Sequence, residues 1–259
     1  FSGCSMKKLV FPPQVKEIGI NAFYSCSKLQ EIIFEDGLKY IRGGAFKNCP
    51  KLTEITLPAS IKELGPDAFL CEILREGIQD INVNMSTIPE NFGRAFIHPG
   101  NIQTPRCINV HIDNKNGIFD FVLPDYVSAV TTGYSDIISA FNLMADQEYD
   151  KKFWRLECLK TAFMYASNSR FKCVDAFKTY KRTKNELAKE YLADYQKRAA
   201  DAIALELTEK DFVDFLKLRF ISLGYDEGIV KRLQEQNWNV ALAYMLEEGR
   251  DGSDDALVI

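Results

Sequence analysis

The chain has 259 residues, 46% of them hydrophobic, 26% charged and 12% aromatic, with a formal net charge of −4. That length holds one large or two ordinary domains. The negative balance argues against a general nucleic-acid or anionic-membrane binder, and no apolar run approaches the roughly 20 residues that a membrane helix needs.

In chain order, the first feature is a repeat. Ala22 to Gly44 reads AFYSCSKLQEIIFEDGLKYIRGG, and Ala45 to Asp67 reads AFKNCPKLTEITLPASIKELGPD. Ala68, Phe69 and Cys71 begin another copy. An earlier copy, FSGCSMKKLVFPPQVKEIGIN, lacks its leading Ala and has one residue fewer between Cys4 and Met6. Within each copy Leu9 and Phe11, Ile32 and Phe34, or Ile55 and Leu57 alternate as one face of a short strand does. Val15 and Ile18, Leu38 and Ile41, and Ile61 and Leu64 form a second apolar pair on the return. Phe23, Phe46 and Phe69 supply one large apolar group per copy. A single coil cannot bury its own apolar face, so coils must stack. Pro12, Pro13 and Pro58 follow strands, where a proline ends pairing at little cost.

The outline AFxxCxxLxxIxLPxxIxxIG resembles the BspA-like class of leucine-rich repeats over about residues 1 to 71. Residues 35–37, Glu-Asp-Gly, stand where that class usually has a proline, and Arg42 where it has a glycine. The resemblance implies a solenoid with a ladder of outward strand residues on a concave face. Its central rung is Val10, Ile33 and Thr56. Lys8, Glu31 and Glu54 flank it on one side, and Pro12, Glu35 and Pro58 on the other. This ladder is the candidate ligand surface; its alternative is the plain edge of a spacer. The resemblance also implies adhesion or surface recognition by bacteria. Because Phe1 to Cys4 aligns with Phe23 to Cys26, further repeats are expected upstream.

The chain holds seven cysteines, an odd number that is not a disulfide framework. Cys4, Cys26, Cys49 and Cys71 recur 22, 23 and 22 residues apart, which marks one repeat position. Stacked strands lie about 4.7–4.9 Å apart, within reach of oxidative pairing. A regular stack is nonetheless expected to keep all seven as small buried thiols.

After Cys71 the pattern decays, with Ile81, Val83 and Met85 as a last irregular strand. Ile108 to Ile112 and Ile118 to Leu123 alternate around Asn116-Gly117, which predicts a hairpin that seals the open end of the array. From Tyr134 the period turns helical. Segments over 134–146 and 151–167 come first. Thr183 with Glu186 then predicts a capping box opening one long helix through Leu187, Tyr191, Tyr195, Ala199 and Ile203. Thr208 with Asp211 predicts the next start, and a last helix carries Trp238 to Leu246. The tail is loosely similar to ankyrin-type helix pairs. Leu223-Gly224-Tyr225 with Ile229, Leu233, Asn239-Val240, Ala243 and Leu246 resembles a ubiquitin-associated domain, although three short packed helices need the same spacing. Residues 251–259 read as a disordered acidic tail.

Chemistry is sparsely marked. The two histidines are His98 and His111. Cys107 and His111 have the spacing of a metal pair, but a structural zinc site wants four ligands and no second pair is visible. No phosphate-binding glycine loop, Gly-x-Ser-x-Gly or His-Glu-x-x-His occurs. Lys178, Lys181, Arg182 and Lys184 read as a solvent-facing junction rather than an anion patch.

The expected fold class is α+β: a short leucine-rich repeat solenoid over 1–90 with about three and a half repeats of period 23, a β-rich cap and connector over 91–130, and an all-α helical-hairpin domain over 131–250. The expected function is non-enzymatic binding of a protein or other macromolecular ligand by a monomer. No catalytic residue, metal or cofactor is assigned, and neither nucleic acid nor membrane insertion is expected. The alternative is an enzyme with a site near Cys107 and His111. Location stays open between cell surface, secretion and cytoplasm.

Overall fold

The structure, a computed structural model, describes residues 1–72, 79–100, 106–115, 117–128, 133–145, 159–166, 168–224 and 226–251. It divides into two compact units, Phe1–Asn168 and Ser169–Ile259.

The first unit is a β-solenoid, as the repeat predicts. Strands β1 (Lys8–Phe11), β3 (Glu31–Phe34) and β5 (Glu54–Leu57) alternate outward and inward residues. Their inward residues Ile32, Phe34, Ile55 and Leu57 are buried. The two-residue strands β2 (Glu17–Ile18), β4 (Tyr40–Ile41) and β6 (Glu63–Leu64) form a second parallel ladder on the return side. β1 pairs with β3 in parallel. β5 continues into β7 (Ile81–Met85), which is the irregular strand expected from Ile81, Val83 and Met85, and whose three residues all point into the core.

A column of phenylalanine rings runs through the stack. Phe1, Phe23, Phe46, Phe69 and Phe96 lie ring on ring, with neighbouring centroids 4.8–5.6 Å apart and nearly parallel planes. The same residues fix the spacing of the backbone. The Phe23 N–H donates to the Ala45 carbonyl, Phe46 to Ala68, and Phe69 to Ala95, at 2.8–2.9 Å. Each coil therefore satisfies the turn of the one before it. Gly65 allows the closest approach, because a Cβ there would sit 2.2 Å from the Gly43 nitrogen. The two departures from the usual repeat are accommodated on the surface. Gly37 takes φ +122 and its N–H donates to the Ser60 hydroxyl. Arg42 reaches Glu17 at 2.8 Å and Glu63 at 3.6 Å, one partner in each neighbouring coil.

The cysteines occupy one corner of the stack. Gly3, Ser25 and Asn48 precede Cys4, Cys26 and Cys49, all with left-handed φ of 57–70°. Cys26, Cys49 and Cys71 are buried and Cys4 is half-buried.

The array ends where the helix α1 (Phe92–Phe96) supplies Ala95-Phe96 to the column. The helix α2 (Gly133–Ala145) packs on α1 through Ile138 and Phe141, so close to Gly93 that a Cβ there would meet the Ile138 side chain at 2.6 Å. The short pair β8 (His98–Pro99) and β11 (Tyr126–Val127) lies beside them. The expected hairpin is present as β9 (Cys107–Asn114) and β10 (Gly117–Pro124). β9 pairs in parallel with β7, so the hairpin carries the sheet two strands further. Gly117 pairs with Asn114 and takes φ +123; Asn116 lies outside the described residues. Helix α2 falls in the range read from sequence as the helical domain, but it packs within the first unit. Of the segment 151–167, residues 151–158 and 167 lie outside the described residues, and 162–165 form a 3-10 turn.

The second unit is helical: α3 (Ser169–Thr183), α4 (Glu186–Asp194), α5 (Gln196–Glu206), α6 (Glu209–Leu216), α7 (Glu227–Glu235) and α8 (Asn239–Asp251) among the described residues. The long helix expected from Thr183 is in fact two. Thr183 ends α3, with its hydroxyl donating to the Thr179 carbonyl. Lys184 turns left-handed at φ 55 and Asn185 caps α4 by accepting from the Ala188 N–H. The chain breaks again at Tyr195 before α5. The Thr208–Asp211 capping box is formed in full. Asp251 closes α8, and the remaining tail lies outside the described residues.

Phe46 lies between two stacked rings with two more rings edge-on, and is 1% exposed. Phe46→Ala should cost about 3–5 kcal/mol, as large aromatic truncations in cores do. Thr56→Ala, one residue from buried Ile55 but turned outward, should change stability by less than about 0.5 kcal/mol. Denaturant midpoints of the two variants check this, and equal losses would reverse the faces of the strand. A second prediction follows from the cysteine corner. Burial pushes the Cys49 thiol from 9.0 up to about 12, and Cys26 up to about 11. In the unfolded chain both lose their protons near pH 9, while the folded chain keeps them. Stability should therefore fall as pH rises from 9 toward 12. Cys49→Ala should fall less steeply over that window in denaturant titrations at stepped pH.

Candidate functional site

The candidate site is the outward face of the strand ladder. All six residues expected there are exposed: Lys8, Val10, Glu31, Ile33, Glu54 and Thr56. Val10 is 51% and Ile33 37% exposed. They are directly paired, as are Lys8 and Glu31. The Lys8 ammonium and Glu31 carboxylate meet at 2.7 Å in solvent, a bond of small net worth.

The ladder runs beyond the repeats that are visible in the sequence. Glu54 pairs with Asn82, and Asn82 with Asn109. Thr56 pairs with Asn84, Asn84 with His111, and His111 with Asp120. These five polar residues extend the two outward rows across β7, β9 and β10, and sequence reasoning missed them as a surface. A signal existed: INVNM and INVHI share an Ile-x-Val core, so both turn the same alternate positions outward.

The polar end is internally bonded. Asn109 Nδ2 donates to Asn82 Oδ1 at 3.1 Å, and Asn82 Nδ2 donates to the Thr53 carbonyl at 3.4 Å. His111 Nδ1 lies 3.1 Å from Asp120 Oδ1. Four carboxylates, Glu31, Glu35, Glu54 and Asp120, stand on the face, and Lys8 offsets Glu31.

Cys107 and His111 are not brought together. Four residues along one strand separate them by about 13 Å. Cys107 is buried, its N–H donating to Asp80 Oδ1, while His111 faces out beside Asp120. His98 lies elsewhere, with Nδ1 3.3 Å from Asp67 Oδ1. Among the described residues no group of three or more His, Cys, Asp or Glu side chains is arranged to hold a metal.

An open trough of about 540 Å³ lies on a turn ridge of the solenoid, with Ile20, Tyr24, Lys47, Asp67 and Glu72 in its walls. Lys47 reaches Glu72 at 2.9 Å and Asp67 at 3.2 Å. Burial works against its charge, but the hydrogen bonds to those carboxylates prevail and hold its pKa above the usual lysine value. Asn48 adds bonds to the Tyr24 hydroxyl and the Glu72 N–H. The trough is thus a clamp across coils.

In the second unit two residues of the basic run are engaged within the fold. Lys181 bridges Asp211 at 3.0 Å and Asp214 at 2.6 Å on α6, and Lys184 lies over the Tyr180 ring. The loop likened to a ubiquitin-associated domain has Gly224 at φ +61 and a buried Leu223; Tyr225 lies outside the described residues. Val240 and Leu246 are exposed on α8, whose first N–H groups donate to Glu209.

A family model described as the BspA type leucine rich repeat region matches residues 1–106 in six copies. The sequence reading counted about three and a half; the structure places the additional Ala-Phe pair at Ala95-Phe96. No curated protein and no solved structure matches the chain significantly. Among the described residues no helix is long and apolar enough to cross a membrane.

Asn82→Ala should remove two hydrogen bonds at a half-buried rung and cost about 1–2 kcal/mol. Asn84→Ala, on the next outward position of the same strand, should cost less than about 0.5 kcal/mol. Urea unfolding of both variants measures the difference, and similar losses would mean that the amide pair does not stabilise the face.

Proposed function

We propose that this chain, whose first 106 residues are BspA-type leucine-rich repeats, is a non-enzymatic interaction protein that holds a protein ligand on the outward face of its strand ladder. The observation that carries this reading is the directly paired, exposed apolar residues Val10 and Ile33, with the charged row of Lys8, Glu31 and Glu54 along one side. Such a mildly apolar centre with a polar rim suits a protein partner, since burial of the centre supplies affinity and the rim supplies register. The carboxylates Glu31, Glu54 and Asp120 favour basic side chains on that partner. A net charge of −4 disfavours nucleic acid. Adhesion at a bacterial surface is one form of this function.

The alternative, an enzyme at Cys107 and His111, needs both groups on one cavity. Their separation along β9 weighs against it, as does the trough, which is lined by neither residue.

Selection of a phage-displayed random peptide library against the full chain tests the binding reading. Enriched peptides should lose at least about tenfold in affinity, or 1.4 kcal/mol, with Ile33→Glu and with Thr56→Arg. They should be unaffected by Ile20→Glu, which changes a residue that is 74% exposed but off the face. No enrichment, or equal sensitivity at Ile20, would overturn the assignment.

A further inference from the structure

We propose that Cys4 and Cys26 are a covalent modification site, closing to a disulfide between two successive coils when the protein meets an oxidising thiol–disulfide pool. Their Sγ atoms lie 2.6 Å apart. A disulfide bond is about 2.05 Å long, so closure needs a shift of a few tenths of an ångström from each side chain. The backbone on either side already holds that register. The Gly3 N–H donates to the Tyr24 carbonyl at 2.7 Å, and the Ser2 hydroxyl donates to the same oxygen at 3.1 Å. Both cysteines follow a left-handed residue, Gly3 or Ser25, so the two coils take the same path into them.

Cys26 and Cys49 each direct Sγ to the carbonyl of the phenylalanine one coil earlier, Cys26 to Phe1 at 3.4 Å and Cys49 to Phe23 at 3.3 Å, and both are buried; closure on Cys4 gives up the Cys26 bond to Phe1. Cys4 is half-buried and Cys26 is fully buried. Burial and the neighbouring Cys4 push the Cys26 thiol up to about 11, which makes it a poor first nucleophile but leaves it in place as the resolving one.

With glutathione disulfide as the oxidant, the Cys4 thiolate attacks one glutathione sulfur. The glutathione S–S bond breaks, one glutathione thiolate leaves, and a mixed disulfide forms on Cys4. Cys26 loses its proton and attacks the Cys4 sulfur, and the second glutathione thiolate leaves. The protons of Cys4 and Cys26 end on the two glutathione thiols. Two electrons pass from the protein to the oxidant. The product ties coils whose cysteines are 22 residues apart in sequence, which restricts the unfolded chain.

The test is to equilibrate the full chain with excess glutathione disulfide, alkylate the remaining thiols under denaturing conditions, digest and identify linked peptides by mass spectrometry. The expected product joins the Cys4 and Cys26 peptides. It should vanish in Cys4→Ser and persist in Cys49→Ser. Recovery of Cys4 and Cys26 as alkylated thiols, of Cys4 only as a glutathione adduct, or of Cys4 joined to another cysteine would overturn the proposal.

Discussion

The first unit depends on one contact repeated: a phenylalanine ring of one coil lying flat on that of the next. A ring at the Phe46 position is covered only because Phe23 and Phe69 flank it. A coil without neighbours would leave that ring and its own Leu and Ile residues in water, and no short coil has other surface with which to bury them. Each ring contact contributes about 0.5–1.5 kcal/mol beyond the area it buries, but its larger effect is on register. The hydrogen bonds from Phe23, Phe46 and Phe69 to the Ala before the next ring tie the column to the backbone. A residue inserted between rings must therefore be accommodated in a turn. The repeat does this between Cys4 and Met6, which are one residue closer than their counterparts.

The outward ladder is a consequence of that column. Strand side chains alternate, so pinning Ile32 and Phe34 inward leaves Glu31 and Ile33 outward with no further specification. The same constraint passes from β5 to β7 to β9 through parallel pairing, and it explains why Asn84 and His111 continue the row of Thr56 although their segments do not keep the 23-residue period. An open sheet end would leave unpaired N–H and C=O groups and an exposed ring. The hairpin β9–β10 pairs the sheet end, while α1 and α2 cover the last ring, with Phe141 4.8 Å from Phe92.

How much was legible follows from which signals were local. Val10, Ile33 and Thr56 were readable because their copies keep both the 23-residue period and the alternation. The Ala95-Phe96 pair was not, because it comes 27 residues after Ala68-Phe69 and the longer interval hides it. Asn82 was not placed beside Glu54 for the same reason, since 28 residues separate them and pairing there is set by packing rather than by count. In the helical unit, Thr183-x-x-Glu186 has the letters of a capping box, yet the Thr183 hydroxyl is satisfied inside α3 and Asn185 takes the cap. The break at Tyr195 carries no glycine or proline; helix packing overrides local propensity there. Thr208 was readable because its hydroxyl and the Asp211 carboxylate both close on the start of the helix.

The two ends of the ladder differ in what they offer a ligand. Asn82 and Asn109 already bond one another, and His111 is engaged by Asp120. A partner docking there must break those bonds and replace them, which returns little net free energy. Val10 and Ile33 have no bonds to lose. Covering them gains roughly 25 cal/mol for each Å² removed from water. Under the proposed function, binding energy would be concentrated at the coils of Val10, Ile33 and Thr56, and the bonded polar end would limit where a partner extends. Glu31 and Glu54 border that apolar centre, so the proposed partner would be selected by basic groups placed one row away. Shape and stack make the surface, but it is the contrast between bonded and unbonded rungs that gives it a direction.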